Sequence, residues 1–295
     1  MARTARTVPV EELPASPILR QDPQVAPIPA PVERKRERPS PAGALPQRAA
    51  RWLPAFVLGV LALGLWAALS RSGAVSSFLL PAPGDVAETF VRALRSGLFW
   101  RYVRVTLVES LAGFALGTAV ALPTGYAIAR SRLLSRALEP YLAASQALPA
   151  IALAPLLVIW LGYGLRAVAV LCALIVFFPM VVNTALGLRT LDPEPVDAAR
   201  VDGADRWSLL WHIELPLALP SILAGMRTGL TLSITGAVVG EFVLGDRGLG
   251  GLLIIARGNF DTPLVFATLL MLVVLAAAMY GIARLVERWL SYLEE

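Results

Sequence analysis

Side chains able to carry chemistry are few in this chain. Its 295 residues include one histidine, His212, and one cysteine, Cys172. A catalytic metal needs three or more convergent ligands, and covalent catalysis needs a nucleophile beside a base. Neither set can be assembled, so an enzyme is not expected, and no metal or cofactor is implied. Cys172 lies inside an apolar run and reads as a small packing residue without a disulfide partner. Glu109, Arg227 and Glu241 all fall near the ends of apolar runs, Arg227 the deepest of them. An ion-coupled carrier would place such groups deep within its spans. No Gly-rich loop ending in Lys-Ser/Thr is present, so the chain has no phosphate-binding loop of its own.

The elements that must position these residues are membrane spans. The chain is 57% hydrophobic and 16% charged, with a mean hydropathy of +0.67, values outside the soluble range. A net charge of +5 could suggest nucleic acid, but the basic residues cluster beside apolar runs, as orientation signals do. Nucleic acid is not an expected partner; the lipid bilayer is. Residues 1–50 hold ten of the 23 prolines and the run Glu33 to Arg38, without apolar periodicity, and read as a disordered tail. The remainder, 51–290, reads as a transmembrane domain. Runs of about 20 apolar residues, the length a bilayer core requires, occur at 52–70, 105–129, 141–161, 166–188, 217–240 and 263–285. Six spans put both termini on one side. Arg34, Lys35, Arg36, Arg38, Arg48 and Arg51 precede the first, Arg130, Arg132 and Arg136 follow the second, and Arg284 and Arg288 close the last. These place the termini in the cytoplasm of a multi-pass protein of the cell membrane. The loop 71–104 runs against the rule, being external yet carrying Arg71, Arg92, Arg95, Arg101 and Arg104.

Between the fourth and fifth spans, residues 190–216 are too polar to insert. Asp192, Pro193 and Glu194 form a helix start, with a capping carboxylate, proline in the first turn and an acid near the positive helix end. Gly203 reads as the end of that helix. Asp205 caps a second helix, Arg206 to Glu214, on which Asp205, Ser208 and His212 share one stripe and Trp207, Leu210 and Trp211 another. The expected product is a short cytoplasmic hairpin shaped to enter a partner's groove. Within the spans, Gly113, Gly117 and Gly125 allow close helix approach, and Pro149, Pro155, Pro179 and Pro220 introduce kinks.

Asp197-Ala198-Ala199, three residues, Gly203, nine residues, Ile213, one residue and Leu215-Pro216 together resemble the EAA loop of ABC importer permeases. Asp197 stands where the family has glutamate, which keeps the carboxylate on a shorter stem. Six identities at fixed spacing arise by chance on the order of once per million start positions. Pro149 to Leu156 with Trp160, Gly162 and Gly164, and Phe177-Phe178-Pro179 with Asn183-Thr184 and Gly187-Leu188, resemble the branch serving sulfonates, taurine, nitrate, thiamine precursors and riboflavin. The resemblance covers about residues 52–290. It implies an all-α membrane protein of six transmembrane helices, with the type I importer permease fold and a cytoplasmic coupling hairpin. It also implies a second permease subunit forming a homodimer, a cytoplasmic ABC ATPase that hydrolyses the ATP, and an extracytoplasmic solute-binding protein. Asp197, Ala198, Ala199, Gly203, Ile213, Leu215 and Pro216 would then couple to the ATPase.

Glu241, Asp246, Gly248 and Gly250, within Gly240-Glu241-Phe242-Val243 and Asp246-Arg247-Gly248-Leu249-Gly250, resemble the external segment of permeases for aromatic heterocycles. They are expected to dock the binding protein. Phe178, Asn183 and Arg227 are the expected translocation-path residues. The solute leans to a vitamin or vitamin precursor, riboflavin or a thiamine-type pyrimidine. Sulfonate, taurine or nitrate is the alternative, and an ion-coupled carrier the remote one.

Overall fold

The structure, a computed structural model, describes residues 47–147, 150–244 and 247–291. The chain divides into residues 1–54, of which the described part begins the first helix, and residues 55–295. The expected tail before residue 47 lies outside the described residues. All regular structure among the described residues is helical: α1 Gln47–Arg71, α2 Pro83–Arg95, α3 Leu98–Arg130, α4 Arg132–Ala147, α5 Ala150–Leu161, α6 Leu165–Arg189, α7 Pro193–Val201, α8 Arg206–Leu209, α9 Leu215–Leu244, α10 Gly248–Gly258 and α11 Thr262–Ser291. Backbone in an apolar medium must satisfy its own hydrogen bonds, which favours this outcome.

Among the described residues five helical stretches are long and apolar enough to cross a bilayer: Leu53–Arg71, Leu98–Arg130, Leu165–Arg189, Arg206–Val243 and Thr262–Trp289. The expected span 141–161 is not one of them. It is divided between α4 and α5, with Leu148 and Pro149 outside the described residues, and the 12 residues of α5 extend only about 18 Å. The second span begins at Leu98 rather than 105, so Arg101 and Arg104 belong to its first turns.

α3, α6 and α9 form the tightly packed centre. Gly113, Gly117, Ala121 and Gly125 recur every fourth residue on α3 and face α6. A methyl group at Gly117 would stand 2.8 Å from the Ala173 carbonyl, and one at Gly125 would stand 2.7 Å from Thr184 Cβ. From α9, a methyl group at Gly236 would stand 3.0 Å from Cys172 Cα. Association by small residues suits a membrane, where lipid tails remove the hydrophobic drive and van der Waals contact must supply attraction. Cys172 is fully buried here, and its thiol donates to the Ser233 carbonyl at 3.3 Å, a packing role as expected. α1 keeps its apolar span exposed and is held by Trp66, whose indole N–H donates to the Pro81 carbonyl at 3.0 Å while the ring tilts on Phe266.

Candidate functional site

The hairpin starts from local chemistry. Asp192 Oδ1 accepts the Glu194 N–H at 3.1 Å, with proline opening α7. At the other end Gly203 adopts φ +87°, the Gly203 N–H reaches the Arg200 carbonyl at 3.1 Å, and the Ala204 N–H reaches Ala199 at 2.9 Å. This is the paired closure that a left-handed residue makes possible. Asp205 Oδ1 then accepts the Ser208 N–H at 3.0 Å, and His212 Nδ1 lies 3.1 Å from the Ser208 carbonyl. Asp197, Ala198 and Gly203 are exposed, and Asp197 pairs with Arg200 one turn on, at 2.8 Å. Three large apolar side chains also face outward: Val201 at 88% exposure, Trp207 at 69% and Trp211 at 58%.

The second helix does not end at Glu214 as expected. A π-turn over Leu210–Glu214 carries it directly into α9, the Leu215 N–H bonding back to Leu210. Pro216 accounts for the wider turn, because in a regular helix its ring would meet the His212 carbonyl and its missing N–H would leave that carbonyl unpaired. The hairpin and the fifth span are therefore one rod from Arg206 to Val243. Ile213 and Leu215, half-buried, and Pro216 lie at its root, whereas Asp197, Ala198, Ala199 and Gly203 lie at the tip. The seven motif residues thus divide between a presented surface and the joint that carries it.

Sequence reasoning missed the residue that holds this joint. Glu214 is 1% exposed and forms an ion pair with Arg130, the last residue of α3, whose guanidinium also lies 5.9 Å from the Tyr126 ring centre. Glu214 Oε2 has no hydrogen-bond partner among the described residues, so its burial depends on that arginine. The available signal was an acid at the entry to one apolar run and an arginine at the exit of another. Next to it, Arg189 at the end of α6 donates to the Ile128 carbonyl at 3.1 Å and pairs with Glu139 at 3.4 Å.

This helix-borne hairpin, rooted in a span and tied to a neighbouring one, can be compared with known proteins. Residues 114–292 match the profile of the binding-protein-dependent transport system inner membrane component family. The chain belongs to this family. The riboflavin transport system permease protein of Chloroflexus aurantiacus is 47% identical over 231 residues, covering 78% of this chain and 86% of that protein. A Bacillus subtilis protein named for transport of aliphatic sulfonates is 30% identical over 242 residues, 80% of this chain and 86% of its own. Among solved structures, an inward-facing methionine ABC transporter superposes with a TM-score of 0.58 at 21% identity, over 65% of this chain and 95% of that one. The protein is thus the membrane-spanning permease subunit of an ABC importer, working with a separate ATPase and a solute-binding protein.

In this permease three of the residues expected to dock the binding protein, Glu241, Gly248 and Gly250, are buried. Glu241, at the far end of α9, is fully buried. The Thr106 hydroxyl donates to its Oε1 at 2.6 Å and the Gly250 N–H to its Oε2 at 2.7 Å, while Thr106 also accepts the Leu249 N–H at 2.9 Å. The carboxyl oxygens therefore cap the start of α10, whose first N–H groups have no partner within the helix. Gly248 has φ +59°, and a methyl group there would overlap the Glu241 carboxyl. Glu109, also buried, lies within hydrogen-bonding reach of Glu241. Glu241, Gly248 and Gly250 are thus a latch joining α3, α9 and α10, because their polar groups are spent on one another; they present no surface for docking. Asp246 lies outside the described residues. Gly248→Ala is expected to cost several kcal/mol, from left-handed strain of about 1–2 kcal/mol plus the displaced buried carboxylate. Gly258→Ala on the same helix, with open space around it, is the control. Thermal unfolding in detergent checks the pair, and equal melting temperatures would remove the latch.

The expected path residues are not drawn together. Arg227 donates to Glu287 Oε2 at 3.0 Å and lies 5.6 Å from the Tyr280 ring centre, tying α9 to α11. Asn183 returns its amide N–H to the Pro179 carbonyl at 2.7 Å and meets Gly225 of α9. Phe178, half-buried, packs edge-on to Phe177.

Proposed function

We propose that this permease imports a riboflavin-like vitamin or vitamin precursor, as two copies joined in a homodimer, with both termini and the hairpin in the cytoplasm. The observation that carries the coupling role is the exposed tip Asp197 to Gly203, flanked by Val201, Trp207 and Trp211 and continuous with a transmembrane rod. Exposed aromatics on a rigid support are the usual anchors of a protein interface. An ATPase that moves the tip would move α9 with it. Ile213, Leu215 and Pro216 serve the root of that lever. The solute lean rests on the riboflavin relative, at 47% identity against 30% for the sulfonate relative.

In this reading α4 and α5 together make the third of six crossings, and residues 51–290 form the transmembrane domain. The path runs between α6, which carries Phe178 and Asn183, and α9, with Arg227 closing its cytoplasmic end through Glu287. Within the external segment, α2 tolerates Arg92 and Arg95 because it is amphipathic. Val86 and Ala93 are buried, whereas Arg92 pairs with Glu88 on an exposed face, and arginine stems can lie along apolar surface with their heads in water.

Two measurements test this reading. In a Cys172→Ser background, which keeps the donor to Ser233, cysteines at the exposed positions Ser77 and Ser96 should react with an impermeant thiol reagent on intact cells. One at Val201 should react only after permeabilisation, and the reverse pattern would remove the hairpin from the ATPase side. For the solute, proteoliposomes holding the permease, its ATPase and its binding protein should accumulate riboflavin on ATP addition. Accumulation of a sulfonate instead would overturn the vitamin assignment.

A further inference from the structure

Both arms of the hairpin leave the bundle beside one short stretch of α3. The outgoing arm starts at Arg189, the last residue of α6, with Asp192, the cap of α7, close behind it. The returning arm enters α9 through Glu214. Arg189 donates to the Ile128 carbonyl at 3.1 Å, and Glu214 pairs with Arg130 on the same turn of α3. Ile128 belongs to the last turn of α3, whose carbonyls have no amide partner within the helix, so Arg189 supplies a donor that α3 itself lacks. The arms also meet at this level. A methyl group at Gly187 of α6 would stand 2.6 Å from Ser221 Cβ of α9, and Leu188, Ala218 and Ile222 pack together there.

The same arginine reaches α4. Its Nη2 donates to the Ser135 hydroxyl as well, its Nη1 pairs with Glu139 at 3.4 Å, and the Ser135 hydroxyl donates to Glu139 in turn. A single residue, Ser131, separates α3 from α4. Its N–H closes on the Ala127 carbonyl at 3.0 Å and its hydroxyl accepts the Leu134 N–H at 3.2 Å, so one residue ends the first helix and caps the second, which stiffens the corner between them. A planar fork with donors on separate nitrogens can span a main-chain carbonyl, a hydroxyl and a carboxylate at once, and the point charge of a lysine cannot. We infer that Arg189 clamps the α3–α4 corner to the hairpin, so that α4 moves with α9 when an ATPase displaces the tip. The clamp rests on the coupling role proposed for that tip. A lever tied only through Glu214 would carry α9 alone, whereas one tied at both roots carries α4 too, and with it the first half of the third crossing. Arg189 is in this sense a positioning residue, acting on the path through the helices it joins.

The test uses the full-length permease with its ATPase and binding protein in proteoliposomes. Spin labels on cysteines at Glu194 of α7 and Leu133 of α4, both exposed, in the Cys172→Ser background, report the distance from hairpin to α4. In wild type that distance should be the same with and without ATP. In Arg189→Met it should shift on ATP addition by about 2 Å or more, the scale of a helix freed to slide. Ser135→Ala, which loosens the hold on α4 but keeps the Ile128 bond, should shift it in the same direction and serves if Arg189→Met does not assemble. Riboflavin imported per ATP hydrolysed should fall about fivefold or more in Arg189→Met, as the loss of a charged hydrogen bond implies, and Arg189→Lys should recover only part. A wild-type distance that changes with ATP, or variants that match wild type in both states, overturns the clamp. Import and hydrolysis falling in equal proportion would make Arg189 merely structural and equally overturn it. Should Gly203→Asp keep full stimulation, the coupling reading beneath the clamp has failed; should Gly203→Asp uncouple while Arg189→Met behaves as wild type, the clamp alone has failed. Absence of riboflavin import by wild type would count against the solute assignment, with the label distances still deciding the clamp.

Discussion

Gly203→Asp is expected to leave the permease in the membrane at near-normal yield while lowering both uptake and solute-stimulated ATP hydrolysis about tenfold or more, the effect of losing an interface anchor. Gly203 has φ +87°, a conformation that costs an L-residue about 1–2 kcal/mol, and aspartate is among the residues that tolerate it best. A methyl group added there meets nothing within 4 Å, so the fold has no steric reason to fail. The loss is therefore assigned to the surface that the tip presents, where a carboxylate would enter a partner's groove beside Val201 and Trp207. Gly203→Ala carries similar strain without charge or bulk and should retain more activity, which separates strain from docking. ATPase rate with and without loaded binding protein, together with co-purification of the ATPase, reads the outcome. Full stimulation by Gly203→Asp would mean that the hairpin is not the coupling element.

Arg130→Met should destabilise the permease by about 3–5 kcal/mol, the cost of leaving a buried charge without its partner. The asymmetry of the pair is the reason. Arg130 is 36% exposed and can be solvated, whereas Glu214 at 1% cannot, and one of its oxygens already lacks a hydrogen bond. Replacing both members by apolar groups, Arg130→Met with Glu214→Leu, should recover most of the loss, since removing a whole buried pair is often neutral. Thermal unfolding of detergent-solubilised protein is the measurement, with a fall on the order of 10 °C for the single change. Equal melting temperatures for the single and double variants would show that Arg130 does not neutralise Glu214. Because the pair joins α3 to the root of the hairpin, a recovered double variant would also show whether coupling needs the ionic tie or only the packing.

Much of the hairpin was legible in advance because its determinants are local. A capping aspartate, a proline in the first turn and a glycine at the helix end act within a few residues of one another, as Asp192, Pro193 and Gly203 do. The expected break after Glu214 failed for a reason less visible in the motif. Pro216 usually ends a helix, yet a π-turn absorbs it, and that turn is stabilised by Arg130 from another part of the chain.

The sequence by itself determined the membrane class, the small-residue seam of α3 and the shape of the hairpin, since apolar length, glycine spacing and capping chemistry are properties of short stretches. Only the tertiary structure decided where the charges go. Thr106 meets Glu241 across 135 residues, and Arg227 meets Glu287 across 60. A glycine-rich segment near the end of a span reads alike whether it faces a partner or its own bundle. Glu241 became an interior cap for α10 because burying a carboxylate demands donors on both oxygens, and those donors came from α3 and α10 once the helices had packed.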